Sequence, residues 1–153
     1  MLQKIANFLR LFWGCVFLAG VVINLAIGFI NPHLYDFGGQ YAWPSFLQDF
    51  WTDAVVPNML LFIILYAAIE LVLGLLIVNK GKPVKIGLAG ALFFGAGLLM
   101  IGLGARQDDW LARIPNLTFE AIIIFCLFFN YDKSLWEMFK RKKADVRTSV
   151  IGG

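Results

Sequence analysis

Long apolar runs separated by short polar stretches set the plan of this chain. Four of them approach the ~20 residues that a helix needs to cross a bilayer's hydrocarbon core: Ala6 to Ile30, Val55 to Val78, Ile86 to Gly104, and a weaker run from Leu111 to Asn130. The connections Asn79 to Lys85 and Ala105 to Trp110 are short, which forces neighbouring helices antiparallel. The pattern therefore predicts an all-α integral membrane protein, an up-down-up-down four-helix transmembrane bundle in one domain over residues 1–143. The first run is not read as a cleaved signal. Its apolar core is longer than the h-region of such signals, and Asn31-Pro32-His33 follows it instead of a small-residue cleavage site.

Two polar-apolar segments flank the runs. Between Asn31 and Ala54 lie Tyr35, Phe37, Tyr41, Trp43, Phe46, Phe50 and Trp51, around Gly38-Gly39. From Pro44 onward Phe46, Leu47, Phe50 and Trp51 fall at helical spacing opposite Ser45, Gln48, Asp49 and Asp53, which predicts a short helix at the membrane surface. Such aromatic residues suit either a belt at the headgroups or a lid over an outward-facing cavity. After Asn130, residues 131–143 carry an apolar side (Tyr131, Leu135, Trp136, Met138, Phe139) and the basic run Lys140 to Lys143. This tail is expected to lie along an anionic lipid surface, and residues 144–153 to form a disordered end.

Composition agrees with the pattern. Of 153 residues, 60% are hydrophobic and only 15% charged, with mean hydropathy +0.77. A soluble domain sits at roughly 45 to 50% apolar and roughly 25% charged. The net charge of +3 reflects sidedness. Eleven of the 13 basic residues flank the first helix's start, fill the 79–85 connection or follow the fourth helix, leaving Arg106 and Arg113 on the other face. The positive-inside rule then puts both termini in the cytoplasm, as in a multi-pass protein of the plasma (inner) membrane. Basic residues confined to loops and a tail give no argument for nucleic acid.

Candidate chemistry is sparse. Glu70 lies inside the second run, where a carboxylate costs roughly 2.5 to 3.5 kcal/mol on insertion scales, so it calls for a partner, a proton or a task. It shares a stripe with Tyr66, Ala67 and Gly74; Glu120 shares one with Asn116 and, two turns away, Arg113. The two acids fall at similar depth, and with Arg10, Asn24 and Asn58 they are candidates for one polar intramembrane site. Two acids in one low-dielectric interior would share a proton rather than both ionise. A purely structural bond between a buried acid and an Asn or Tyr on a neighbouring helix explains the same residues. His33 has no second histidine or cysteine pair near it and reads as a surface or capping residue. Cys15 and Cys126, on different helices with no CxxC, read as buried inert thiols. No haem, metal or nucleotide motif is present and no catalytic constellation is recognisable.

Small residues mark packing surfaces. Gly87, Ala91 and Gly95 repeat every fourth residue in the third run, and Gly20, Asn24 and Gly28 do so in the first. Such stripes let helix backbones approach closely in lipid, either inside the bundle or against another subunit.

The arrangement of Arg10, Gly14 and Gly20 in the first helix, Glu70-Leu-Val-Leu-Gly74-Leu-Leu in the second, a short basic loop and a Gly-rich third helix resembles the DoxX-like family of small four-helix membrane proteins. The resemblance implies a four-helix bundle with accessory roles, as a membrane subunit beside a quinone-linked oxidoreductase or as a partner in oxidative-stress and assembly complexes. It makes Glu70 and Gly74 the shared polar and packing site. The chain departs from redox-associated members in lacking a cysteine pair, and its first loop is longer. Three functions are thus expected. The first is a non-catalytic subunit or assembly partner docking another membrane protein or a second copy through Gly-rich faces. The second is a small transporter or ligand-binding membrane protein using Glu70 and Glu120. The third is the membrane subunit of a quinone-linked oxidoreductase, with quinone reached only through a partner; no cofactor site of the chain's own is visible.

Overall fold

In a computed structural model of the protein, residues 1–36, 38–101 and 110–137 are described, with the side chains of Gln40 and of residues 110–113 excepted. Among these residues all regular structure is helical: α1 (Leu2–Ile30), α2 (Phe46–Phe50), α3 (Met59–Ile77), α4 (Lys82–Ile101) and α5 (Trp110–Leu127). Three stretches are long and apolar enough to cross a membrane: Leu2–Ile30, Phe46–Ile77 and Lys82–Ile101. The apolar part of α5, Ile114–Leu127, is shorter.

Helix α1 begins ahead of its apolar core, because Gln3 and Lys4 are good helix formers and nothing before Ala6 breaks the ladder. It runs for 29 residues without interruption. At the α-helical rise this length is roughly 43 Å, more than a hydrocarbon core requires. The helix stops at Asn31, whose φ of -156 and ψ of 82 are extended backbone. That is the conformation the residue before a proline prefers, and Pro32 then opens a short 3₁₀ turn, Pro32–Tyr35.

The expected surface helix and the second span are not separate. Phe46 to Ile77 forms one helical run in which a wide turn over Trp51–Val55 and a 3₁₀ turn over Val56–Asn58 join α2 to α3. Pro57 explains the irregularity: it has no N–H to donate, so the ladder around it changes pitch. The Val56 N–H reaches back to the Trp51 carbonyl, and the Asn58 side chain donates to the Ala54 carbonyl at 3.0 Å. Asn58 is exposed and committed to this repair, so it does not join the interior polar group expected of it.

Helix α1 packs on α3, α3 on α4, α4 on α5, and α5 on α1. The inward face of α1 runs through Ala6, Arg10, Gly14, Phe17 and Gly28, all buried. A Cβ at Gly14 would come within 2.7 Å of Val78, one at Gly28 within 2.7 Å of Ile63, and one at Gly74 within 2.8 Å of Leu18. The α4 stripe is likewise used inside the chain. A Cβ at Gly87 would meet Leu76 at 2.7 Å, Ala91 is fully buried, and Gly95 faces α5. Gly74, Gly87, Ala91 and Gly95 therefore make contacts between the chain's own helices.

A core of Phe17, Leu73, Ile77, Val84, Leu88, Ala91, Ile123, Cys126 and Tyr131 fills the end where the α3–α4 connection lies. The outer surface is apolar: Phe8, Phe12, Val22, Phe29, Val72, Phe93 and Phe128 are all exposed. Contiguous apolar exteriors of this extent are foreign to water-soluble monomers. Cys15 belongs to this exterior, which corrects its expected burial; Cys126 is buried and its thiol faces the Ala6 carbonyl.

The segment after α5, expected to lie along a lipid surface, is described over residues 131–137. It folds back on the helix ends. The Gly81 N–H donates to the Tyr131 carbonyl (2.7 Å), the Leu135 N–H to the Val78 carbonyl (3.0 Å), and Lys80 pairs with Glu137. Gly81 makes this turn possible, because its φ of 66 lies in the left-handed region. Residues with a Cβ avoid that conformation. The basic run 140–143 and the tail 144–153 lie outside the described residues.

Candidate functional site

Arg10 shows how the described chain treats a buried charge. The side chain is fully buried, yet it meets no carboxylate. Its Nε donates to Asn7 Oδ1 (2.8 Å), Nη1 to the carbonyls of Ile77 and Asn79 (both 2.7 Å), and Nη2 to the carbonyl of Lys133 (2.6 Å). The Tyr131 ring lies 4.5 Å beneath the guanidinium, and burial pushes that phenol above its ordinary range, so the ring stays neutral. A cation at the C-terminal end of α3 also complements the helix dipole. Arg10 thus ties α1 to the end of α3 and to the folded-back segment. It does not join the acids, because all its described hydrogen bonds are made at that end.

Glu70 is 7% exposed on α3 and sits directly against α1 at Gly20, where a Cβ would come within 2.6 Å of Oε1. Only a residue without a side chain leaves room there for the carboxyl. One turn further along α1, Asn24 Nδ2 donates to Glu70 Oε2 at 2.8 Å. The orientation of that amide is fixed from outside the helices. The Tyr35 hydroxyl donates to Asn24 Oδ1 at 2.6 Å, and burial, with the nearby Glu70 carboxyl, raises the Tyr35 phenol so that it stays a donor. A three-residue chain therefore runs from the loop after α1 to the buried acid. In the sequence Tyr35 is one of many loop aromatics, and no spacing rule links it to residues 24 and 70.

Glu120 on α5 is placed by the same device. Gly95 of α4 yields the space that its Oε1 occupies, with the Phe119 ring beside it. Both Glu120 oxygens are buried, and among the described residues neither has a hydrogen-bond partner; the buried Trp13 Nε1 also lacks one there.

The structure brings the two acids to one chamber. A cavity of about 220 Å³ is lined by Glu70 and Tyr66 from α3, Glu120 and Asn116 from α5, Gly95 and Phe94 from α4, and Trp13 and Phe17 from α1. Its rings touch in sequence. Trp13 to Phe119 is 4.6 Å between centroids, Phe119 to Phe17 6.1 Å, Phe17 to Phe94 6.0 Å and Phe94 to Tyr66 4.9 Å. The candidate residues Glu70, Glu120, Asn116 and Tyr66 share this wall, Asn24 reaches it through Glu70, and Arg10 does not. The sequence pattern does not single out the rings of Trp13, Phe17, Phe94 and Phe119. The signal available for Trp13 and Phe17 is their helical register with Arg10, Gly20 and Asn24 on one side of α1.

A second, larger cavity of about 530 Å³ adjoins the first, and Tyr66 and Leu98 line both. Its walls are apolar (Phe50, Trp51, Val55, Met59, Phe62, Ile63), with Tyr35 and Asn24 as polar points. The loop closes over it. Trp51 Nε1 donates to the Asp36 carbonyl (3.2 Å), the Trp43 N–H to the Met100 carbonyl (2.8 Å), and Gly39 lies so close to Trp51 that a Cβ would overlap its ring. His33, exposed, bonds Asp36 at 2.9 Å and caps the adjoining turn. Among the described residues no three His, Cys, Asp or Glu side chains come together in a group that could hold a metal ion.

No family model matches this chain, and comparison with curated proteins and with solved structures gives no match.

Proposed function

We propose that the protein is a ligand-binding membrane protein whose four long helices span the bilayer as an up-down-up-down bundle, with both termini cytoplasmic. Its site is the two-acid chamber reached from the larger cavity under the loop. The observation that carries this reading is the convergence of Glu70 and Glu120, from α3 and α5, on one cavity where Glu120's two oxygens and the Trp13 N–H are buried without partners among the described residues. Each such group costs about 1 to 3 kcal/mol unless something hydrogen-bonds to it. A packing role alone would be served by apolar side chains at lower cost, so the groups mark a place for a ligand. Together the two cavities fall within the roughly 300 to 1,000 Å³ of small-molecule sites, and a mostly apolar lining with a few polar points is what such sites have.

The DoxX-like resemblance supports the bundle and, beside it, the accessory-subunit reading in plasma (inner) membrane complexes. Gly74, Gly87, Ala91 and Gly95 contact helices of the same chain, so that reading rests on the resemblance. Mild-detergent extraction followed by native mass spectrometry separates the two. A small molecule retained by the wild type and lost from both Glu70→Gln and Glu120→Gln supports the ligand site. A stoichiometric protein partner with no small molecule in any form would replace it with the subunit reading.

A further inference from the structure

We infer that the inner chamber receives an organic ammonium cation, its charged head between Glu70 and Glu120 and its apolar body in the larger cavity. This rests on the ligand-site reading above and names the chemistry of its ligand. Three features point the same way. First, the polar groups that face the chamber are dominated by carboxyl oxygens. Among the described residues Glu120 offers two without partners and Glu70 accepts one hydrogen bond, from Asn24, so the described side chains favour a positive charge. Second, five aromatic rings surround those acids in an unbroken series from Trp13 to Tyr66. Ring faces attract cations, most strongly when the site is shielded from water, and an aromatic enclosure with carboxylates is the chemistry that recognises substituted ammonium groups. Third, the volumes divide as such a molecule does. The inner chamber of about 220 Å³ suits a compact head, and the outer one of about 530 Å³ is walled by apolar side chains, with Tyr66 and Leu98 at the junction. An anionic ligand would meet two acids, and a purely apolar one would leave the buried oxygens without partners.

The test uses the full chain in phosphatidylcholine nanodiscs, with nanodiscs lacking protein as the correction for partitioning. Equilibrium dialysis compares three probes of similar shape: benzyltrimethylammonium, its neutral isostere neopentylbenzene, and the anion phenylacetate. The expected result is saturable binding of the cation, at least tenfold tighter than either of the others. Glu120→Gln should weaken it at least tenfold, and Trp13→Phe should weaken it several-fold. Neopentylbenzene binding as tightly as the cation, or phenylacetate binding better, overturns the ammonium assignment and leaves the ligand site standing. Saturable binding of none of the three also overturns it; native mass spectrometry then shows separately whether the site holds some other molecule. If Glu120→Gln does not give a monodisperse protein, the three-probe comparison on the wild type and on Trp13→Phe decides.

Discussion

Glu120 keeps its carboxyl where the side chain of residue 95 would otherwise be: Gly95 of α4 is the floor on which the acid of α5 rests. Gly20 of α1 does the same for Glu70 of α3. In both pairs a small residue on one helix makes room for an acid on its neighbour, so close helix approach and the polar chamber have one origin.

Gly95→Ala and Gly20→Ala should therefore disturb the acids as well as the packing. Overpacking of this kind costs about 1 to 3 kcal/mol. Thermal unfolding in detergent should show the loss for both variants. Gly97→Ala is the control, because a Cβ there meets nothing within 4 Å, and it should keep or slightly raise stability, since alanine favours a helix interior over glycine.

Asn24 is the link between loop and acid. Asn24→Leu leaves Glu70 without its donor and Tyr35 without its acceptor. It is expected to destabilise by about 1 to 3 kcal/mol. Tyr35→Phe removes one bond only and should cost about 0.5 to 1.5 kcal/mol. The double variant should be less destabilised than the two single losses added, since both act on one chain of bonds. Additive losses in unfolding experiments would show that the three residues are not coupled.

Arg10→Lys is not conservative here. A lysine presents a point charge, whereas the guanidinium serves Asn7 and three carbonyls in fixed directions. Hydrogen bonds to charged groups contribute about 1.5 to 3 kcal/mol each, so losing most of them should cost on the order of 3 kcal/mol. Limited proteolysis after Asn130 should accelerate in this variant, because the Lys133 carbonyl loses its anchor.

The Lys80–Glu137 pair gives the folded-back segment a pH dependence. Glu137 is held below the ordinary carboxyl value, first by the hydrogen bond from Lys80 and then by the Ser134 N–H. A carboxyl depressed in the folded state contributes stability that is complete above its unfolded value of 4.5 and disappears as pH falls through the lower folded value. Hydrogen-exchange protection over residues 131–137, taken relative to the intrinsic rate at each pH, should fall below about pH 4.5 in the wild type. Glu137→Gln should exchange faster at neutral pH and lose that dependence.

The long helices were legible because apolar run length is a one-dimensional property: α1 and α3 end within a residue or two of their expected ends. The junction at Pro57 was not, because a helix can pass such a residue when a side chain like Asn58 repairs its ladder, and that depends on the local fold. Glu70 and Glu120 stand out as acids in apolar runs, and their shared depth follows from counting turns. What could not be read is who faces them. Trp13, Phe17, Phe94 and Phe119 resemble every other aromatic residue in an apolar helix until neighbours are placed. Charge alone groups Arg10 with the acids, but the α3 end and the segment after Asn130 supply its acceptors, and neither is near it in sequence.

The ligand site depends on Glu70 and Glu120 sharing one chamber. Its most direct test is cross-linking of Glu70→Cys with Glu120→Cys, in a background where Cys15 and Cys126 are replaced by serine, using a short bifunctional thiol reagent in native membranes. The expected result is an intramolecular link in monomeric protein, formed only when both cysteines are present. Thiols that each react singly and never link, in a protein that still extracts as a monodisperse species, would contradict it.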